Sequence, residues 1–101
     1  MSQGFAIQEN LLASNANNTV VALSVIEVLL IALNDARKSL ILTNDTNRTL
    51  YVKYGSGVTS ASFTYKLSKG DTLIESDYNG AVYGIWDSAG SGDAKISEPI
   101  N

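Results

Sequence analysis

The sequence predicts a small all-β protein: an antiparallel β-sandwich or jelly-roll-like domain with an extended N-terminal arm. Short apolar segments rich in β-branched and aromatic residues recur about every ten residues along the chain. Clusters of Gly, Asn, Asp and Ser separate these segments, and such residues favour tight turns. No convincing helical pattern interrupts this rhythm. With 101 residues, the chain is expected to contain a single folded domain.

The first eighteen residues differ from the rest. Residues 1–18 are rich in Asn and Gln and lack the alternation of strands and turns, but Phe5 and Ile7 stand at strand spacing. Two interpretations remain open: a frayed terminus, or an arm that becomes ordered on a neighbouring subunit. The residues predicted to contact that partner are Phe5, Ile7, Leu11 and Leu12. The chain is therefore divided into an arm, 1–18, and a β-sandwich domain, 19–101.

The most apolar segment is VVALSVIEVLLIAL, residues 20–33. It has 14 residues, fewer than the roughly 20 that a membrane helix needs, and a carboxylate at its centre is costly in lipid. Val and Ile favour strands over helices. The segment therefore predicts two strands or one bent strand, 19–25 and 26–33, buried on both faces. Glu27 is expected at a bend, a sheet edge or a subunit contact, and the preferred interpretation is an edge-strand carboxylate that discourages aggregation.

Alternation of apolar and polar residues defines the later strands. In TLYVKYG, one face carries Leu50, Val52 and Tyr54. In SFTYKL, the residues expected to point inward are Phe63, Tyr65 and Leu67. The remaining predicted strands are 40–44, 49–55, 62–67, 72–75, 81–87 and 93–98. The predicted core comprises Leu40, Leu42, Leu50, Val52, Phe63, Leu67, Ile85 and Ile96.

Turn-forming residues separate these strands. NDARKS, 34–39, and DTNR, 45–48, contain Asn and Asp, and the second predicts a tight hairpin loop. SKGD, 68–71, places Gly70 where a positive φ is expected. Pro99 should end the last strand because it cannot donate a ladder hydrogen bond.

Composition excludes several classes of function. The chain has no Cys and no His, so disulfides, zinc–thiolate sites and Ser–His triads are ruled out. The net charge is −3, and the charged residues are scattered along the chain without a basic cluster. This argues against nucleic-acid binding. The first eighteen residues carry no Lys or Arg, so no secretory or transit signal is expected. We predict a protein that is not an enzyme and holds neither cofactor nor metal.

Three motifs could carry chemistry but are interpreted as structural. GSGVTS lacks the third Gly and the following helix of a phosphate loop. DSAGSGD offers only Asp87 and Asp93 as charged ligands, so a Gly/Ser loop is preferred over a weak calcium site. Glu75 and Asp77 lie where a strand enters a turn, and they would not be held face to face as glycoside hydrolysis requires.

The aromatic residues are expected to be half-buried on the strands, with a subset in a subunit interface, where Tyr and Trp are enriched. The predicted partner-binding residues at the rim are Tyr51, Tyr54, Tyr83 and Trp86. A sugar-stacking platform made of the same rings is the alternative.

Three segments carry a family resemblance: LNDARKSLILTNDTNRTLYVKYGSG, SFTYKLSKGDTLIE and GAVYGIWDSAGSGDAKISE. Over residues 28–98 the chain resembles a family of small β-domain proteins encoded among tailed-phage virion genes. The resemblance implies a structural virion protein, a capsid cement (decoration) protein that binds between capsomers and stabilises the shell. It implies the major capsid protein or other virion subunits as partners, a homotrimer, and a place on the capsid surface after synthesis in the bacterial cytoplasm. A neck, baseplate or fibre-attachment subunit and a carbohydrate-binding module remain the alternatives.

Overall fold

Two antiparallel four-stranded sheets make up the protein in a computed structural model that describes residues 13–100. The strands are β1 (Asn15–Ala22), β2 (Val28–Ile31), β3 (Leu40–Thr46), β4 (Leu50–Tyr54), β5 (Tyr65–Leu67), β6 (Thr72–Glu75), β7 (Val82–Trp86) and β8 (Gly92–Ile100). The first sheet has the order β1-β8-β3-β6 and the second β2-β7-β4-β5. The predicted all-β sandwich is confirmed. Within residues 13–100 there is no helix that could span a bilayer.

The core lies between the two sheets and follows the period of two expected for strands. It contains Leu30, Leu40, Leu42, Leu50, Val52, Leu67, Leu73, Val82, Trp86, Ala94 and Ile96. Six of the eight predicted core residues are confirmed. The exceptions are Phe63, which is exposed, and Ile85, which is half-buried. In β7 the buried set is Val82, Gly84 and Trp86, so Ile85 falls on the outer face.

The apolar segment 20–33 does form two strands, but they belong to different sheets. β1 lies at the edge of the first sheet and β2 at the edge of the second. The prediction that both strands are buried on both faces is wrong, since Val20 and Leu29 are exposed. Glu27 lies in the bend before β2, where its Oε1 accepts hydrogen bonds from the backbone N–H groups of Gly57 and Val58.

The turn at 45–48 is not a hairpin loop. β3 pairs with β6 and β8, whereas β4 pairs with β5 and β7, so the chain crosses from one sheet to the other. Turn residues signalled the reversal correctly, but they carry no information about which strands then pair. Gly70 has the positive φ expected of it, +83°.

Pro99 lies inside β8 rather than at its end. It sits opposite Ala16 of β1, and its nitrogen points away from β1, toward the side on which β3 flanks β8. The pairing of β3 with β8 stops at Ser97, and beyond it the Pro99 carbonyl accepts a hydrogen bond from the Lys38 N–H over 2.8 Å, so that Pro99 serves as an acceptor and no donor is required of it. The missing N–H is therefore tolerated, and the strand continues to Ile100.

Two predicted boundaries shift. β1 begins at Asn15 and pairs with β8 from that residue onward, so the division between arm and domain at residue 18 falls inside a strand. The predicted strand 62–67 is regular only from Tyr65, and there only Leu67 is buried, so Phe63 and Tyr65 do not point into the core. The proposed arm residues Phe5, Ile7, Leu11 and Leu12 lie outside the described part of the chain.

Candidate interaction face

The outer surface of the second sheet carries a row of aromatic and aliphatic side chains. Because Leu50 and Val52 point into the core, alternation directs Tyr51 and Lys53 outward. In the neighbouring strand β7 the same alternation directs Tyr83 and Ile85 outward. Leu29 of β2 and Phe63 complete the surface. We call this surface the aromatic face and define it as Leu29, Tyr51, Lys53, Phe63, Tyr83 and Ile85.

Strand register brings these side chains together. Tyr51 is paired with Ile85, and Lys53 with Tyr83. Tyr83 is in turn paired with Leu29. Residues paired in this way have neighbouring side chains on one face of the sheet. The aromatic face is therefore continuous across β2, β7 and β4.

Phe63 is held on this face by its neighbours. Its ring centroid lies 5.1 Å from that of Tyr51, with a tilt of 52° between the planes. This is within the range of favourable aromatic pairs. The preceding turn is closed by backbone hydrogen bonds between Thr59 and Ser62, and Lys53 Nζ donates to Ser62 Oγ over 2.9 Å. The one charged group of the face thus also stabilises the turn that positions Phe63.

A shallow cavity of about 280 Å³ opens at one end of the aromatic face. Its apolar lining comes from Val25, Tyr51, Ile85 and Trp86, and its polar lining comes from Thr59, Ser60 and Asp87. A cavity that offers an aromatic ring beside several hydrogen-bonding groups can bind either a protruding side chain or a sugar.

The four rim residues predicted from the sequence separate into different environments. Tyr51 and Tyr83 lie on the aromatic face. Tyr54 points to the other side of the sheet, where its ring is stacked on Tyr78 with centroids 4.4 Å apart and planes 4° from parallel. Its hydroxyl donates to Glu75 over 2.5 Å. Burial, reinforced by the carboxylate of Glu75, raises the pKa of Tyr54 well above its ordinary value.

Trp86 is a core residue, and its predicted position at the rim is wrong. Its side chain is only 2% exposed. The indole Nε1 donates to Asn44 Oδ1 (3.1 Å) and Thr46 Oγ1 (3.0 Å), both in β3. The Asn44 amide donates onward to the carbonyls of Arg48 and Leu67. The indole hydrogen-bonds across the two sheets, so the aromatic ring that looked most suited to binding is used for folding.

A second buried polar cluster involves Arg37 and Glu98. Arg37 Nε donates to Glu98 Oε2 over 2.7 Å, and its side chain has no exposed surface. The other guanidinium nitrogens donate to the carbonyls of Ala32 and Gly80. Burial opposes ionisation of Glu98, but hydrogen bonds from Asn17, Arg37 and Asn34 outweigh it and hold the pKa of Glu98 below its usual value. Arg37 therefore supports the fold and is not available to a phosphate or an acidic partner.

Two of the carboxylates singled out in the sequence, Asp93 and Glu75, have partners within the protein. Between residues 13 and 100, no three acidic side chains are grouped closely enough to hold a cation. Asp93 instead pairs with Lys95. Glu75 accepts hydrogen bonds from Tyr54 and from the N–H of Asp77, and these contacts lower the pKa of Glu75.

Sequence reasoning missed Leu29, Phe63 and Ile85 as surface residues, because each had been assigned to a buried position. One signal could have corrected the assignment of Ile85. The segment AVYGIWD alternates so that either Ile85 or Trp86 is buried, and burying Trp86 places Ile85 beside Tyr51. Comparison with protein families, curated proteins and solved structures found no match to this chain. The site is therefore defined by its own geometry: a partly exposed aromatic surface on an antiparallel sheet.

Proposed function

We propose that this chain is a structural protein of a tailed-phage virion, a capsid cement protein that binds between capsomers and stabilises the shell. The aromatic face carries the proposal. Tyr and Phe are enriched at the centres of protein interfaces, and exposed apolar patches on small domains mark interaction sites. The resemblance over residues 28–98 supplies the class of partner, which is the major capsid protein.

The aromatic face is suited to binding a flat protein surface. Tyr51 and Phe63 are already packed against each other, so little side-chain freedom is lost when a partner covers them. The face sits on three hydrogen-bonded strands, which keep the rings in fixed relative positions. An interface of standard size buries roughly 800 Å² on each partner, and symmetry repeats it over a capsid.

Quantitative protein analysis of purified virions tests the proposal directly. The ratio of this chain to the major capsid protein is expected to be near one to one. A ratio of a few copies per hundred would instead support a neck, baseplate or fibre-attachment subunit. Absence of the chain from virions would overturn both assignments.

Two matched variants test the face itself. Phe63 and Tyr65 are each 41% exposed and lie two residues apart, but only Phe63 contacts Tyr51 on the aromatic face. Phe63→Ser should weaken binding to purified capsids at least about tenfold, as expected when an interface aromatic is removed. Tyr65→Ser should bind as tightly as the unchanged protein. Equal binding by all three proteins, each shown to be folded by circular dichroism, would exclude the aromatic face.

The N-terminal residues are a second proposed contact. Deletion of residues 1–12 leaves β1 intact from Asn15 and should reduce capsid binding while the domain remains folded. Full binding by the truncated protein would remove Phe5, Ile7, Leu11 and Leu12 from the proposal.

A carbohydrate-binding module is the second candidate, and the cavity beside Tyr51 favours it. Aromatic rings stack on sugars, and Thr59, Ser60 and Asp87 provide hydrogen-bonding groups at the same place. Binding to a glycan array that is lost in Tyr51→Ala, together with absence from virions, would support this candidate. Trp86→Ala is not an informative test because the indole is buried.

A further inference from the structure

Strand β1 is unusually accessible for a long strand. It is at the edge of the first sheet, and seven of its eight residues are exposed. Thr19 is paired with Ile96, which is buried, yet Thr19 itself is exposed. Val21 packs against the core and Asn17 donates a hydrogen bond to Glu98. Otherwise the described residues 13–100 leave the inner face, the outer face and the free edge of β1 open.

The backbone groups at the free edge can be identified from the register. Leu23 N donates to Gly92 O over 3.2 Å, which marks Leu23 as a residue whose hydrogen bonds face β8. In an antiparallel ladder such residues alternate with residues whose N–H and C=O groups point away. Along β1, the groups that point away from β8 belong to Ala16, Asn18, Val20 and Ala22.

The other three edge strands are each protected against pairing, and β1 is not. β5 has three residues, including Lys66. β6 has four and ends at Glu75. β2 has four and is interrupted by a bulge between Leu29 and Ile31. Short length, charge and bulges are the devices that prevent edge-to-edge association. β1 has eight residues, NANNTVVA, with continuous register and neither charge nor proline.

We propose that β1 pairs with β1 of a second copy of this chain around a two-fold axis, which joins the two first sheets into one continuous sheet. With Thr19 on the axis, Ala16 lies opposite Ala22 of the second copy, and Asn18 lies opposite its Val20. This antiparallel register pairs every edge N–H and C=O of both strands. A shift by two residues leaves part of the edge unpaired.

A second copy is the occupant that this edge fits. β1 carries no charge, so its self-association brings no like charges into contact. The charged side chains opposite β1 on the outer face are Lys95, opposite Val20, and Asp93, opposite Ala22; they are paired with each other, and Lys95 also pairs with Asp45. The inference does not rest on the proposed capsid function, and its symmetry is two-fold where the family resemblance implies a trimer.

Light scattering on the purified protein tests the oligomeric state. The expected mass is twice 10.7 kDa. Val20→Lys adds a cation at the edge, next to Lys95, and should raise the dissociation constant of the dimer at least about tenfold. Ile74→Lys is the matched control, because Ile74 is 70% exposed, Val20 is 59% exposed, and both lie on the outer face of the first sheet at opposite edges. It should leave the dimer unchanged.

A single-cysteine variant tests the register and does not depend on the stability of the lysine variants. The chain has no Cys, so Thr19→Cys introduces the only thiol. In the proposed pairing the two Cα atoms at position 19 are about 4.5 Å apart, which a disulfide can span. Mild oxidation should give a covalent dimer. Asn15→Cys should not crosslink, since its two copies would be roughly 27 Å apart at about 3.4 Å per residue. A monomer or trimer by light scattering, or a dimer that Thr19→Cys fails to crosslink, would overturn the proposal.

Discussion

Replacing Arg37 by Met should destabilise the domain strongly. The substitution removes the ion pair to Glu98 and the hydrogen bonds to the carbonyls of Ala32 and Gly80. It leaves a carboxylate whose side chain is only 7% exposed without its cation. Breaking a buried ion pair by removing one partner costs about 3–5 kcal/mol. Because the amide of Asn17 still donates to Glu98, we expect a loss near the lower limit, about 3 kcal/mol.

Urea unfolding followed by fluorescence of the single Trp measures this loss. The control is the double variant Arg37→Met with Glu98→Met, which removes the unpaired charge as well. Replacing both members of a buried pair by apolar groups is often nearly neutral, so the double variant should be more stable than Arg37→Met alone. A loss below about 1 kcal/mol for Arg37→Met, or a double variant that is less stable still, would refute the reasoning, since it would place the pair among weak surface ion pairs.

Three further predictions concern stability. Trp86→Phe removes the indole donor to Asn44 and should cost about 1–3 kcal/mol in thermal unfolding; an unchanged melting temperature would contradict the role of this hydrogen bond. Gly92→Ala should cost more than Gly70→Ala, because both have positive φ but only at Gly92 would the added Cβ collide with the backbone of β3. Since the pKa of Glu98 is lowered by folding, its contribution is present above the unfolded pKa of about 4.3 and is lost as the pH falls through the lower folded value. Urea titrations from pH 6 to pH 3 should therefore show a steeper loss of stability for the unchanged protein than for Glu98→Gln.

The fold class and most strands were predictable because each depends on local sequence. Alternation in TLYVKYG places Leu50 and Val52 in the core, as predicted. Partner choice between strands is different, because it depends on contacts between distant parts of the chain. The residues DTNR indicate a chain reversal equally well whether β3 and β4 pair with each other or lie in different sheets. Pro99 was misassigned for the same reason, since only the end of the β3 pairing makes its position in β8 acceptable.

The candidate face was only half predictable. Tyr51 and Tyr83 were assigned to a partner-binding rim, and both lie on the aromatic face. Trp86 was assigned there because Trp is enriched in interfaces, yet two buried acceptors in β3 satisfy its N–H. The sequence around Trp86 does not reveal those acceptors, because they come from a strand about forty residues earlier in the chain. The pair of Arg37 and Glu98 shows the same limit, because its members are 61 residues apart in the sequence.

The two proposed contacts are geometrically compatible, and together they make a prediction that neither makes alone. A two-fold axis that relates antiparallel strands of one sheet is perpendicular to that sheet, so both second sheets lie on the same side of the dimer. Both aromatic faces then point in the same direction and can meet one capsid surface at the same time.

Two linked contacts bind more tightly than one, commonly by a factor of about 10² or more. Val20→Lys, which lies outside the aromatic face, should therefore weaken binding to capsids, and Ile74→Lys should not. If the monomeric Val20→Lys protein bound capsids as tightly as the dimer, the two faces would not act together.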